Sequence, residues 1–357
     1  MSSLTTSTRR WLIGATSLAV VVTGALAVSS PASSAPGAAA KKATPRAYVY
    51  GNWAQPGSGF KTGSDDTMSQ VYQLTWRGAF PDLDDTPGPV YAAGTFIASG
   101  STTINRVGRW DDTTLSWVTL PGDDTGIAPG APRSVASGAT NPGVYGLVLG
   151  GDDSLYAGGD FWGSDDSLNN VGQWNGSNWV RMGNGLYISS ADRTAGEVVQ
   201  DMVMGNDFIG GDDVNYADDT VYAVGGFDYA CSTLSCGATG RNTSRIAQYS
   251  QADDTWYGMG VGTSSNNFQL YAGAYLDDTL YVGGDIISSD TLGGRTGLAA
   301  VAQWRESDDT WLPLGGGLTD GGVFARAVHP ITKDLYVGGT FDQPTGYPVG
   351  WSKVPPT

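Results

Sequence analysis

The chain is almost empty of the side chains that enzymes use most for proton transfer and metal binding. Among 357 residues there is one histidine, His329. A Ser-His-Asp triad would have to rest on it alone, and its place in "AVHPITKD", beside Pro330, marks it as a turn residue. The two cysteines, Cys231 and Cys236 in "CSTLSC", lack a second pair to complete a zinc site, and their spacing is wrong for a redox motif. In an exported chain they are expected to form a local disulfide that pins a loop. Glutamate is nearly absent: Glu197 and Glu306 stand against 33 aspartates. Aspartate favours turns and glutamate helices, so the chain is expected to be turn-rich and helix-poor. Basic residues are few, and the formal charge is −16. Such a body repels phosphate backbones and anionic lipids, which excludes nucleic acid as a partner.

What is present begins with a leader. Arg9-Arg10 precede an uncharged run, Trp11 to Val28, and then small residues. Residues 1–35 read as an export signal, with cleavage after Ala27 or Ala35. "TRRWLI" also fits a twin-arginine signal, and a retained anchor is a third option disfavoured by the Gly, Ser and Thr in the run. Residues 36–46 read as a flexible tether, and 47–357 as the folded body. No sorting signal is found in "VGWSKVPPT", so a freely secreted monomer is expected, with no stable membrane insertion after signal removal.

Glycine is abundant, at 53 residues, and its placement is periodic. "VYAAGTF" at Val90, "LYAGGDF" at Leu155, "VYAVGGF" at Val221, "LYVGGDI" at Leu280 and "LYVGGTF" at Leu335 share one template, and "YVYGNW" from Tyr48 fits it with Trp53 in the Phe position. The anchors are Tyr48, Tyr91, Tyr156, Tyr222, Tyr281 and Tyr336. A second phrase follows most of them ("RVGRW", "NVGQW", "RIAQY", "AVAQW"). A third follows that ("SWVTLPG", "NWVRMGNGL", "TWYGMGVG", "TWLPLGGGL"), and another apolar run precedes the anchor. Each full unit therefore predicts four short strands, a to d. Strands apolar on both faces need cover on both sides, which a lone four-stranded sheet lacks, so the units must stack. The glycine three residues after each anchor is expected to let neighbouring backbones approach near a crowded axis.

These phrases resemble the kelch-type repeats of β-propellers, especially secreted bacterial propellers related to the galactose oxidase central domain. The resemblance covers about Tyr48 to Trp351 and implies an all-β fold, a single propeller of four-stranded blades. Six anchors imply six blades, with five or seven left open. The copper oxidase site of that enzyme needs more than one histidine, so the resemblance does not carry that activity here.

Adjacent aspartates occur eleven times. Eight pairs fall in a–b or c–d turns, among them Asp111-Asp112, Asp152-Asp153, Asp253-Asp254, Asp277-Asp278 and Asp308-Asp309, and so on one face of a disc. The plain reading is a turn device; the sharper one is a calcium-loaded face, although no recognised calcium loop is present and no metal ligand set is assigned.

On the opposite face, the position four residues after each anchor holds Asn52, Thr95, Asp160, Gly226, Asp285 and Thr340. Asp160 and Asp285 are the candidates for a glycosidase-like carboxylate pair, with strand-end capping as the plainer role. Trp162 and Tyr229, in the b–c loops beside polar residues, suit sugar recognition together with Asn52, Thr95 and Thr340. The reading favoured here is a non-catalytic secreted protein that binds an extracellular ligand, a glycan or cell-envelope component, or an extracellular protein. The alternatives are a carbohydrate-active hydrolase or lyase and a structural acidic surface protein.

Overall fold

The computed structural model describes residues 57–62, 69–76, 89–122, 126–127, 143–150, 153–161, 168–188, 198–205, 220–233, 240–243, 245–259, 268–276, 279–286, 292, 295, 297–305, 307, 309–314, 317–318, 321–328, 334–341 and 351–354. Among these there is no α-helix. The first sheet comprises β1 (Val71–Trp76), β2 (Val90–Gly94), β5 (Val107–Asp111) and β6 (Ser116–Val118), with a small hairpin of β3 (Ala98–Ser99) and β4 (Thr102–Thr103) between β2 and β5. The second comprises β7 (Gly143–Leu149), β8 (Leu155–Asp160), β9 (Val171–Trp174) and β10 (Trp179–Arg181). β11 (Leu186–Tyr187) leaves it to pair with β14 (Tyr229–Cys231), which pairs in turn with β15 (Gly240–Asn242). The third sheet is β12 (Val199–Met204), β13 (Val221–Gly225), β16 (Ile246–Ser250) and β17 (Thr255–Gly258). The fourth is β18 (Leu270–Leu276), β19 (Thr279–Gly284), β20 (Val301–Arg305) and β21 (Thr310–Pro313). The fifth has three described strands, β22 (Val323–Val328), β23 (Leu335–Gly339) and β24 (Trp351–Val354). All pairings are antiparallel, and Tyr91, Tyr156, Tyr222, Tyr281 and Tyr336 each lie in a second strand, as the repeat predicts. Tyr48 lies outside the described residues, as does the leader.

The sheets stack in series through their first strands: β1 on β7, β7 on β12, β12 on β18 and β18 on β22. The cover that apolar strands require is supplied this way. Val144, Leu147 and Leu155 of the second sheet share a core with Ala93 and Val107 of the first, and the same arrangement recurs at each later junction. Trp256 and Trp311 from the third phrase are fully buried. Each removes on the order of 200 Å² from water, worth about 5 kcal/mol before the entropy of ordering it. Their indole nitrogens donate to carbonyls of the preceding unit, Trp256 to Met182 at 2.9 Å and Trp311 to Met259 at 3.1 Å, so the same residue packs and fastens.

Every first strand carries a β-bulge at its start. The registers skip one residue between Val71 and Gln73, Val144 and Gly146, Val199 and Asp201, Leu270 and Ala272, and Val323 and Ala325. The glycine three residues after each anchor lies against the strand that the bulge displaces. A Cβ on Gly94, Gly159, Gly225, Gly284 or Gly339 would stand 1.9, 2.1, 2.2, 2.0 or 1.9 Å from the carbonyl oxygen of Gln70, Gly143, Val198, Gln269 or Gly322. The expected role of these glycines is thereby corrected: they admit a bulge within their own sheet, and their fixed position follows from the bulge's fixed position. Spacing between sheets falls to the glycine one residue earlier. A Cβ on Gly158 would lie 2.4 Å from Val199 and one on Gly283 2.5 Å from Val323, both in the next sheet.

The aspartate pairs that are described serve their turns. Asp153, Asp254 and Asp309 adopt left-handed φ values of 68°, 50° and 47°, a conformation aspartate tolerates better than most residues. Asp111 accepts the Thr113 amide at 2.8 Å, which holds its carboxyl below the ordinary range. Asp254 accepts both the Gly183 amide of the neighbouring unit, at 2.6 Å, and the Tyr249 hydroxyl, at 2.7 Å. Both donors converge on Oδ1, which is thereby committed to the fold. Asp254→Ala is expected to cost about 2 kcal/mol in urea unfolding, and excess calcium to leave the native midpoint unchanged.

Candidate functional site

The bulges supply a set of side chains that share one position in each sheet. The extra residue is Tyr72, Tyr145, Gln200, Tyr271 and Phe324 in β1, β7, β12, β18 and β22. Because the first strands pack in series, residues of this set meet across sheet boundaries in two places. The Tyr72 and Tyr145 rings are T-shaped with centroids 4.7 Å apart, and Tyr271 and Phe324 lie 4.8 Å apart. Tyr145 is buried, Tyr72, Gln200 and Tyr271 are half-buried, and Phe324 is 42% exposed. The result is an aromatic arc, interrupted by one amide, at the end of the sheets where the second strands finish.

The residues four after the anchors hold this arc in place. Thr95 Oγ1 accepts the Gln70 amide at 3.1 Å and Thr340 Oγ1 the Gly322 amide at 3.3 Å, one residue before the apolar residue that opens each bulge. Asp285 accepts the Gln269 amide through Oδ1 and the Tyr271 hydroxyl at 3.4 Å through Oδ2. Asp285 therefore positions Tyr271. Asp160 ends β8 within electrostatic reach of Arg106, a buried guanidinium whose pKa burial lowers to about 10 against the opposing pull of Tyr145 and Asp160. Arg106 also donates to the Ile127 carbonyl at 3.0 Å. The two candidate carboxylates thus stand among local partners in separate sheets.

The other candidates fall elsewhere. Trp162 and Asn52 lie outside the described residues, as do Cys236, His329, Glu197 and Glu306. Tyr229 is half-buried in β14, paired in register with Tyr187. Cys231, two residues on, is disulfide-bonded. Tyr229 is thus fixed in a small sheet of its own with β11 and β15. Among the described residues no group of three His, Cys, Asp or Glu side chains could hold a metal ion.

Sequence reasoning did not single out the arc, although its signal recurs as the second letter of "VYQL", "VYGL", "VQDM", "LYAG" and "VFAR". It also did not foresee the polar network beside it. Asp201 in β12 pairs with Arg326 in β22 at 2.6 Å, both buried. Asp201 accepts the Met202 amide and the Gly273 amide of β18, each at 2.9 Å, and Arg326 Nε donates to the Gly273 carbonyl. Three consecutive sheets are joined here. Burial pushes the Asp201 carboxyl above its ordinary range, against the pull of Arg326 and the two amides. In β1, Gln73 occupies the register position of Asp201 and is buried with neither amide atom hydrogen-bonded.

No protein-family model matches the chain, and no curated protein matches its sequence. Among solved structures, the extracellular domain of a B. thetaiotaomicron protein described as a one-component system aligns at 11% identity and a TM-score of 0.34, covering 79% of this chain and 33% of that one. A structure describing that extracellular domain as part of a hybrid two-component system gives the same identity and TM-score, with 79% and 34% covered. The chain thus spans about a third of the length of these neighbours, and a likeness this slight transfers neither ligand nor activity.

Proposed function

We propose that the chain is a secreted β-propeller that binds an extracellular glycan without cleaving it, through the arc of Tyr72, Tyr145, Gln200, Tyr271 and Phe324. The serial stacking of sheets on their first strands supports arrangement around a common axis, as do the kelch-like phrases. The observation that carries the binding reading is the arc itself: aromatic faces next to a phenol hydroxyl, an amide and a carboxylate. Such a surface matches a sugar ring, whose axial hydrogens form a flat apolar face and whose hydroxyls need donors and acceptors at the rim. The chain's negative charge favours a neutral or basic polysaccharide over an anionic one. No helix among the described residues is long and apolar enough to cross a membrane.

The test is a glycan array probed with the mature chain, with reducing-end release assayed in parallel. Binding to a neutral or basic glycan is expected, with about a tenfold loss in Phe324→Ala and in Tyr271→Ala and no release of sugar ends. Glycan binding unaffected by both substitutions would move the site to the loops, and product release abolished by Asp160→Asn would make the protein an enzyme.

A further inference from the structure

We infer that Asn175 is a self-modifying site, whose side chain closes on the Gly176 amide, loses ammonia and opens to aspartate or isoaspartate without an enzyme. Asn175 follows β9, and Gly176-Ser177 turn the chain into β10, with the Asn175 amide donating to the Asn178 carbonyl at 3.2 Å. Residues 175–178 are all exposed. Gly176 has a φ of 92°, and a Cβ there would meet nothing within 4 Å, so neither a side chain nor a neighbour screens its nitrogen. Among the described residues that N–H has no hydrogen-bond partner, and neither has Nδ2 of Asn175. The side-chain oxygen, by contrast, is held. Oδ1 accepts the Ser177 amide at 3.1 Å and the Asn178 amide at 3.0 Å. Paired donors on one carbonyl oxygen draw density from Cγ and stabilise the negative charge that the oxygen takes up when Cγ is attacked, as an oxyanion hole does. They also fix the side chain over the turn that contains the attacking nitrogen.

In the reaction the Gly176 nitrogen, deprotonated by solvent hydroxide, bonds to Cγ, and the Cγ–Nδ2 bond breaks with Nδ2 leaving as ammonia. Water then opens the cyclic imide. Cleavage at Cγ leaves aspartate; cleavage at the main-chain carbonyl leaves isoaspartate, with the chain routed through the former side chain. No other reactant is consumed. The first product suits the fold, because Asp111 holds the same place after Trp110 in the first sheet and accepts the Thr113 amide at 2.8 Å, the reach that Asn175 makes to Ser177. Asn184-Gly185 repeats the dipeptide under opposite conditions. The Gly185 amide donates to the Met182 carbonyl at 3.2 Å, Nδ2 of Asn184 donates to the Ser232 carbonyl at 3.2 Å, and a Cβ on buried Gly185 would stand 2.2 Å from Asn169. Freeing that nucleophile breaks a hydrogen bond, which slows the reaction by at least about tenfold.

The experiment incubates the mature chain at mildly alkaline pH, folded and in guanidinium chloride, and follows both asparagines by peptide mass spectrometry and isoaspartyl methyltransferase labelling. In the folded chain residue 175 is expected to convert at least about tenfold faster than residue 184, and in denaturant the two are expected to react at similar rates. Ser177→Pro removes one donor to Oδ1 and is expected to slow the folded reaction at residue 175 relative to the same variant's unfolded rate. Equal folded rates at 175 and 184, the same ratio in folded and unfolded chains, or a folded reaction that Ser177→Pro leaves unchanged or accelerates would overturn the inference. None of these readouts involves a ligand, so they stand apart from the glycan test.

Discussion

Asp201→Ala is expected to lower the unfolding free energy by about 3–5 kcal/mol, because it leaves the Arg326 guanidinium buried without its counter-charge. The loss is larger than for a surface pair because Asp201 also takes amides from Met202 and from Gly273 in the next sheet. Arg326→Met should be as damaging alone, whereas the double variant Asp201→Leu with Arg326→Met should recover most of the loss, since no uncompensated charge remains. Urea unfolding monitored by tryptophan fluorescence measures all three, and additive losses in the double variant would refute the pairing. The pair also has a pH signature. A carboxyl raised in the folded state contributes fully below its unfolded value, near pH 4, and loses that contribution as pH rises through the folded value. The stability advantage of the native chain over Asp201→Asn should therefore narrow from about pH 4 upward.

Gly284→Ala is the second large effect. Its Cβ would stand 2.0 Å from the Gln269 carbonyl oxygen, and because both partners are backbone, no side-chain rotation relieves the clash. The substitution must undo the bulge or push β18 away from β19, at a cost of about 3 kcal/mol or more. Removing the bulge also moves Tyr271, so any glycan binding should fall with stability. Gly176→Ala is the control: it has a positive φ, 92°, which Gly284 does not, but a Cβ there meets nothing within 4 Å, and about 1 kcal/mol of backbone strain is expected. Equal midpoints for the two variants would remove the carbonyl contact as the reason for this glycine.

The repeat made the strand order legible because each phrase carries several cues at once: an anchor tyrosine, a glycine at fixed distance and a tryptophan in register. Strand partners followed from that alone. The bulge was not legible. It adds one residue to one strand, which changes the parity of everything before it, and alternation read along Val71–Trp76 cannot reveal where the count slips. Tyr72, Tyr271 and Phe324 therefore read as ordinary strand residues. Asp285 was assigned to the correct end of its sheet, yet its partners, the Gln269 amide and the Tyr271 hydroxyl, come from the preceding strand and depend on that slip. The Asp201–Arg326 pair was hidden for another reason. Its members sit in units that are not adjacent in sequence and meet only across a glycine.

That glycine gives the units individual identities. Three consecutive sheets here present an acid, a bare backbone and a base, with Gly273 and Arg326 at one register position and Asp201 one residue before it, and a Cβ on Gly273 would already lie 2.6 Å from Val203. A copy of the third unit inserted in the fourth position would set two carboxylates and a bulky side chain where one peptide group now bridges acid to base. Duplication, deletion or shuffling of whole modules, the usual way that repeat arrays change length, is thereby blocked in this stretch of the molecule.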